Sequence, residues 1–357
     1  MSVGVKARVL FSRMLSEDDY WSFLSSDTVS EIGERLRGTA YEEALSTLPS
    51  SPHRHDLEAA VKSILFIEAE SFLYHVSSPR DKFFRTLTYR HEADNLKSIF
   101  RYVTSRRTNR DELRHRLYMS KHSRISYDNI LAARDFIELS DALRGTMYYK
   151  ILSEPLKRLY SGDEHSLFPL EMALDIFVEL SLYKALKKLE TSELNSLQPI
   201  FGVRADLYNI YLLYRALKFY DLTPEETLNR LLPVRFRIKM SVLRELSRAG
   251  SEDNMADALK TRFPQYAGLF PSALGDEHPQ LALERNIKRY IYEQARKVFA
   301  GGLPGFHTAV SYYILKEFEI ADLIKIIECV RYGYDRRKAA AYLTRPIIAV
   351  GGETEWQ

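Results

Sequence analysis

A long internal repeat constrains this chain more than any other feature. Three glutamates, each following a leucine at the start of an apolar helical run, are Glu58, Glu171 and Glu284, with steps of 113 and 113 residues in a chain of 357. A second feature is an acid followed three positions later by Asn or Asp and then an aliphatic residue. It recurs as Glu92-Asn95-Leu96, Asp206-Asn209-Ile210 and Glu319-Asp322-Leu323, at offsets of 114 and 113. A third, LRGTAY from Leu36 and LRGTMY from Leu143, reappears degraded as LKTRFPQY from Leu259, which gives Tyr41, Tyr148 and Tyr266 equivalent places. The three features keep one order in every copy. A period of this length far exceeds the roughly 20 to 50 residues of the common solenoid repeats, so each copy is expected to be a small bundle in its own right.

Within the copies, apolar residues return at three- and four-residue spacing, as in Leu170, Leu174, Phe177 and Leu180, which is the pattern of one helical face. Alternating runs bounded by turn dipeptides, the mark of strands, are scarce, and Pro346–Val350 is the one short candidate. The predicted fold class is therefore all-α, in three homologous helical units cut at 1–118, 119–234 and 235–357. The cut phase stays open, because in a circular arrangement the last acid-x-x-Asp element packs against the first helix. Three bundles in series either close around a pseudo-threefold axis, leaving an axial cavity, or stack openly. Closure would superpose Glu58, Glu171 and Glu284 after rotations of about 120°. Thr223-Pro224-Glu225-Glu226 is a helix start, since Thr caps and Pro fits the first turn. The three equivalent tyrosines read as core anchors whose hydroxyls find partners.

Composition narrows the chemistry. With 51 Lys and Arg against 48 Asp and Glu, the chain lacks the global excess of a general polyanion binder. Its single cysteine, Cys329, excludes an internal disulfide and any cysteine-cluster metal site, and fits a reducing compartment. No signal peptide is read at the N-terminus. The most apolar stretch, Leu170–Leu186, is broken by Glu171, Asp175, Glu179 and Lys184 and falls short of the ~20 apolar residues that span a bilayer. Phosphate-cradling, dinucleotide, nucleophile-elbow and zincin motifs are missing from the sequence, so no catalytic residue, cofactor or metal is assigned. Gly301–Gly305 reads as a turn between helices. His53 and His55 read as loop histidines that would bind a metal only with a third ligand from elsewhere.

Charge is nonetheless clustered locally. The stretch Arg106, Arg107, Arg110, Arg114, Arg116, Lys121 and Arg124 is the strongest basic feature, with weaker clusters at Arg230, Arg235, Arg237 and Lys239 and at Arg336, Arg337 and Lys338. A solvated helix face accounts for each one alone. Their return after every acid-x-x-Asn element makes a shared outward surface, with Arg106, Arg107, Arg110, Arg237, Arg336 and Arg337 as partner-facing candidates. Only Tyr118 and Phe236 are interleaved as stacking aromatics. The acid-x-x-Asn pairs have two readings, both open at this point: side chains at i and i+3 share a helical face, and either fix packing or line a central cavity. Arg101 and Arg215 follow the acids at +9, and Glu328 takes that place in the third copy.

With these residues in view, the chain resembles the C-type subunits of prokaryotic A/V-type rotary ATPases (V-type ATP synthases), relatives of the d-type subunits of eukaryotic V-ATPases. The likeness spans nearly the whole chain. It rests on Lys6-Ala7-Arg8, LRGTxY, the Leu-Glu helices, Asp206-Leu207-Tyr208-Asn209-Ile210 with Arg215, and Lys316-x-x-Glu319. The resemblance implies a funnel of three similar domains around a pseudo-threefold axis, peripheral on the cytoplasmic face of the membrane. Its partners would be the D- and F-type central shaft subunits and the rotor ring of proteolipid subunits, with membrane contact only through the ring and no direct nucleic acid. It would be non-catalytic, need no cofactor, and couple shaft rotation to proton or sodium transport. In that setting Asn95, Arg101, Asn209, Arg215 and Asp322 are the shaft-socket candidates, and the six basic residues face the ring or another partner. The alternative is a helical scaffold or nucleic-acid adaptor using the 106–124 surface, whose binding would fall steeply with salt.

Overall fold

Capping chemistry sets where the helices start. The Ser16 hydroxyl accepts the Asp19 amide while the Asp19 carboxylate accepts the Ser16 amide, and Thr223 and Glu226 form the same reciprocal box ahead of Pro224. Each box satisfies amides that a first helical turn leaves open. Glycine in the left-handed region stops one helix at Gly162, with φ 84°. The structure, a computed structural model, describes residues 2–105, 109–117, 119, 123, 125–163, 166–219, 222–270 and 279–347.

Helix α1 (Val3–Phe11) precedes three blocks of elements in a common order. The first block is α2 (Glu17–Leu24), α3 (Val29–Leu36), α4 (Glu42–Leu45), α5 (Arg54–Leu73), α6 (Arg80–Ser105) and α7 (Arg110–Arg116). The second is α8 (Tyr127–Ala132), α9 (Phe136–Ala142), α10 (Tyr149–Ser161), α11 (Phe168–Leu186), α12 (Thr191–Phe219) and α13 (Pro224–Asn229). The third is α14 (Met240–Leu246), α15 (Glu252–Arg262), a 3-10 segment (Pro264–Leu269), α16 (Pro279–Ala300), α17 (Phe306–Arg331) and α18 (Arg336–Ala341). The Leu-Glu pairs lie within the first two turns of α5, α11 and α16, and the acid-x-x-Asn pairs lie within the long helices α6, α12 and α17. Among the described residues there is no strand: Pro346 and Ile347 are irregular, and 348–350 lie outside those residues.

The chain divides into two compact units. One is Val29–Lys188, where α6 packs lengthwise on α11 and α10 covers α9 and α11. Its core joins Leu96, Ile99, Phe100, Leu152, Leu170, Leu174 and Val178. Lys97 and Arg101 on α6 pair with Asp175 and Glu171 on α11, so the two helices run antiparallel, later residues of one meeting earlier residues of the other.

The other unit combines Met1–Thr28 with Leu189–Gln357 and is built around α17, which buries 17 of its 26 residues. Helices α16 and α1 lie along it, with α2, α12 and α18 beside it. The expected helix-to-helix turn at 301–305 is the connection between α16 and α17, and α1 sits directly on it. A Cβ added to Gly4 would stand 2.4 Å from Gly305 N and from Pro304 C. Phe11 stacks on Phe299 at 4.2 Å and Arg8 donates to the Gly302 carbonyl, which fixes α1 at both ends.

His53 takes the N-cap position of α5, and His55 lies inside the helix, so the loop reading of this pair is corrected: the helix begins at Arg54, three residues ahead of the Leu-Glu pair. Among the described residues no group of three His, Cys, Asp or Glu is close enough to hold a metal ion, and no helix is long and apolar enough to cross a membrane.

The α1 seat yields a stability prediction. Gly4→Val forces backbone apart where only hydrogen fits, so it should destabilise the protein by about 2 kcal/mol or more in denaturant unfolding. An unchanged midpoint would mean that α1 does not rest on the 301–305 turn.

Candidate functional site

The acid-x-x-Asn pairs are where the polar groups of the long helices converge. In α12, Asp206 is 1% exposed and accepts three backbone amides: Phe236 at 2.9 Å, Arg237 at 2.6 Å and Ile238 at 3.2 Å. One turn on, Asn209 accepts the Leu232 amide at 2.7 Å and donates to the carbonyls of Leu232 and Val234. The segment 231–238 is irregular and has no helix ladder to satisfy its backbone, so the two side chains supply what the segment lacks. The result is a latch between a helix and the irregular run that leads into the next block.

The third copy builds the same latch with more charge. Asp322 accepts the amides of Thr344 and Arg345 and the ammonium of Lys325. Glu319 takes the Lys316 ammonium at 2.7 Å on one oxygen and the Leu15 amide at 2.8 Å on the other. Arg345 closes the ring of bonds by donating to the Leu15 carbonyl. In the second copy the acid holds residues 30 to 32 positions downstream; here the N-terminal segment before α2 fills the corresponding role. In the first copy the Tyr148 hydroxyl donates to Glu92 at 2.6 Å, and Asn95 donates to the Tyr127 oxygen at 2.8 Å.

Buried charge explains the differences. A carboxylate without compensation costs several kcal/mol in an interior, and each copy compensates locally. Glu319 and Asp322 have Lys316 and Lys325 three positions away, with Lys316 only 1% exposed. Asp206 has Val203 and Asn209 has Leu212 at the matching positions, so amides carry the load. They do so incompletely, since burial pushes the Asp206 carboxyl up against the pull of the three N–H groups. The tyrosines respond in the same direction. Burial pushes Tyr127 up to about 12, and burial followed by the Glu92 charge holds Tyr148 far above its usual range. Burial, then the charges of Glu319 and Asp322, does the same to Tyr20.

The sequence-predicted residues separate into two groups. Asn95, Asn209 and Asp322 are 2%, 0% and 0% exposed, and their polar atoms are engaged within their own unit. Of the two readings of these pairs, their bonds carry out the packing one. The predicted basic residues are mostly outward. Arg101 is 61% exposed at its side chain and pairs with Glu171, which brings a +9 arginine onto a Leu-Glu landmark of the next copy. Arg215 is half-buried with its guanidinium 5.7 Å from the Tyr211 ring centre. Arg110, Arg237, Arg336 and Arg337 are exposed; Arg237 lies over Phe236 and Arg336 donates to the Ser25 carbonyl. Arg106, Arg107, Tyr118, Lys121 and Arg124 lie outside the described residues. Sequence reasoning missed Leu15 and Tyr127, and the α6–α11 ion pairs. For the last a signal existed, since Lys97 and Arg101 match Glu171 and Asp175 in both sign and four-residue spacing.

The described residues form an all-helical protein whose elements follow one another in three blocks of common order. The chain belongs to the ATP synthase (C/AC39) subunit family, whose sequence model matches residues 3–342. It is 24% identical over 337 residues to the C-type subunit of the A-type ATP synthase of Methanosphaera stadtmanae, an alignment covering 91% of this chain and 82% of that protein.

Two measurements check the latch. Asn209→Asp places a second carboxylate against the Leu232 and Val234 carbonyls with no lysine beside it. It should cost about 2 to 4 kcal/mol, and adding Leu212→Lys should recover part of the loss; equal stability of all three proteins would remove the latch from the account. The tyrosines predict the pH response. Their folded values lie above the ordinary 10.0, so the folded state keeps protons that the unfolded state gives up, and stability falls as pH rises past that value. Absorbance titration of the folded protein should leave Tyr20, Tyr127 and Tyr148 unionised until alkaline unfolding. Titration of every tyrosine in one early step, with the fold intact, would contradict this.

Proposed function

We propose that this chain is the non-catalytic coupling component of a rotary ATP synthase, peripheral on the cytoplasmic face. It would seat on a ring of proteolipid subunits and receive the D- and F-type subunits of the central shaft, so that rotation passes to or from proton or sodium transport. The observation that carries this reading is the family match running from residue 3 to residue 342, together with the likeness to the Methanosphaera ATP synthase protein. The three repeated blocks, cut near 118 and 234, would surround a pseudo-threefold axis in a funnel.

The physics of such a part is demanding in one respect. It must transmit force without yielding, which favours long helices cross-tied by short polar bonds over flexible loops. Shaft contact is then assigned to Arg101 and Arg215 on the long helices, with Asn95, Asn209 and Asp322 shaping the socket wall from inside. Arg106, Arg107, Arg110, Arg237, Arg336 and Arg337 supply the partner-facing charge, suited to a partly polar interface.

Purified chain should bind the shaft subunits of its own complex saturably and bind no ATP in a defined pocket. Arg101→Glu with Arg215→Glu should weaken shaft binding by about tenfold or more, with a change in folding stability of about 1 kcal/mol or less at the exposed Arg101 pair. Unchanged affinity would take these residues out of the socket, and failure to bind either shaft or ring would end the coupling reading.

A further inference from the structure

One end of the unit built around α17 carries a surface that the latches do not use. Residues 331–338, Arg-Tyr-Gly-Tyr-Asp-Arg-Arg-Lys, are eight consecutive exposed positions. They hold four cations against one carboxylate, and two large aromatics, Tyr332 and Tyr334, at 63% and 62% exposure. Such rings are normally drawn inward, and two of them exposed side by side among arginines need a reason.

Neighbouring elements extend the same end. The Gln280 amide donates to the Tyr211 hydroxyl, and Arg289 donates to the carbonyls of Ala341 and Leu343. The start of α16 therefore lies beside α12 at Tyr211, and its middle lies beside the end of α18 and the residues that follow it. Tyr342, 49% exposed, follows α18 a few residues further along the chain.

We infer that this end is a docking surface for a phospholipid bilayer bearing anionic headgroups. Exposed aromatic rings that seat at headgroup depth, ringed by Lys and Arg that attract anionic lipid, are the two components of peripheral membrane attachment. The rings are already engaged with one another, Tyr332 and Tyr334 edge-to-face at 6.4 Å and the Arg331 guanidinium over Tyr332 at 5.0 Å. That arrangement suits insertion as a cluster, whereas a nucleic-acid base needs an open ring face to stack on. Arg336 is partly committed to the Ser25 carbonyl, and Asp27 stands 4.0 Å away; Arg337 and Lys338 are the side chains through which charge is best tested. This contact goes beyond the partner-facing role proposed above for Arg336 and Arg337, and it is read on the purified chain with neither ring nor shaft present.

The experiment is co-sedimentation of the full chain with phosphatidylcholine vesicles, with and without about 30% phosphatidylserine, at about 0.05 M and about 0.5 M salt. Binding to the anionic vesicles at low salt should exceed binding to neutral ones by about tenfold or more and disappear at high salt. Arg337→Glu with Lys338→Glu should lower it by about tenfold or more, and Tyr332→Ala with Tyr334→Ala by several-fold, both at unchanged melting temperature. Equal binding to neutral and anionic vesicles would overturn the proposal, as would full binding by the charge-reversed variant. Tighter binding to a single-stranded oligonucleotide than to vesicles at the same salt would reassign the surface to nucleic acid.

Discussion

A carboxylate placed on the inward face of a buried helix must be satisfied, and the rest of this structure is arranged around that requirement. Leaving one buried acceptor or donor unmet costs roughly 1 to 3 kcal/mol, a large share of the ~5 to 15 kcal/mol that separates a folded domain from its unfolded chain. Here the need of the acid and the need of an irregular segment cancel. The segments that follow the short helices α13 and α18 have backbone amides with no helical partner, and Asp206 and Asp322 take them. Each group solves the problem of the other, so these segments are held as firmly as the helices.

The copies reach this outcome by different chemistry. Three amides surround Asp206, a lysine accompanies Glu319 and another Asp322, and a phenol meets Glu92. The charged version is as deeply buried as the second, with Lys316 and Glu319 set together in the helix that α1, α2, α12, α16 and α18 all touch.

Local features of the fold are legible in the sequence. The all-helical class, the Thr223 box and the 301–305 turn follow from spacing and capping within a few residues, where one-dimensional information suffices. The candidate site is legible only as geometry along a helix. Spacing of three puts Glu92 with Asn95 on one face, but nothing in the spacing says whether that face looks at solvent or at Tyr148, because the answer depends on a segment 56 residues away. The capture of Leu15 by Glu319 joins positions 304 apart, and no periodicity announces it. His55 is misplaced by the sequence pattern for the opposite reason: the Leu-Glu landmark is internal to α5, and the helix starts before it.

The same long-range bond carries a consequence for how the protein is made. Val29–Lys188 is a continuous stretch and leaves the ribosome entire, so its helices can assemble while the remainder is still being translated. The segment Met1–Thr28 emerges before it yet belongs with Leu189–Gln357, and its seat on α17 does not exist until that helix has been synthesised. Throughout that interval Val5, Val9 and Phe11, which remain partly exposed even after docking, travel on an undocked apolar segment. Nascent chains stalled before α17 lack the seat on which the N-terminal helix comes to rest.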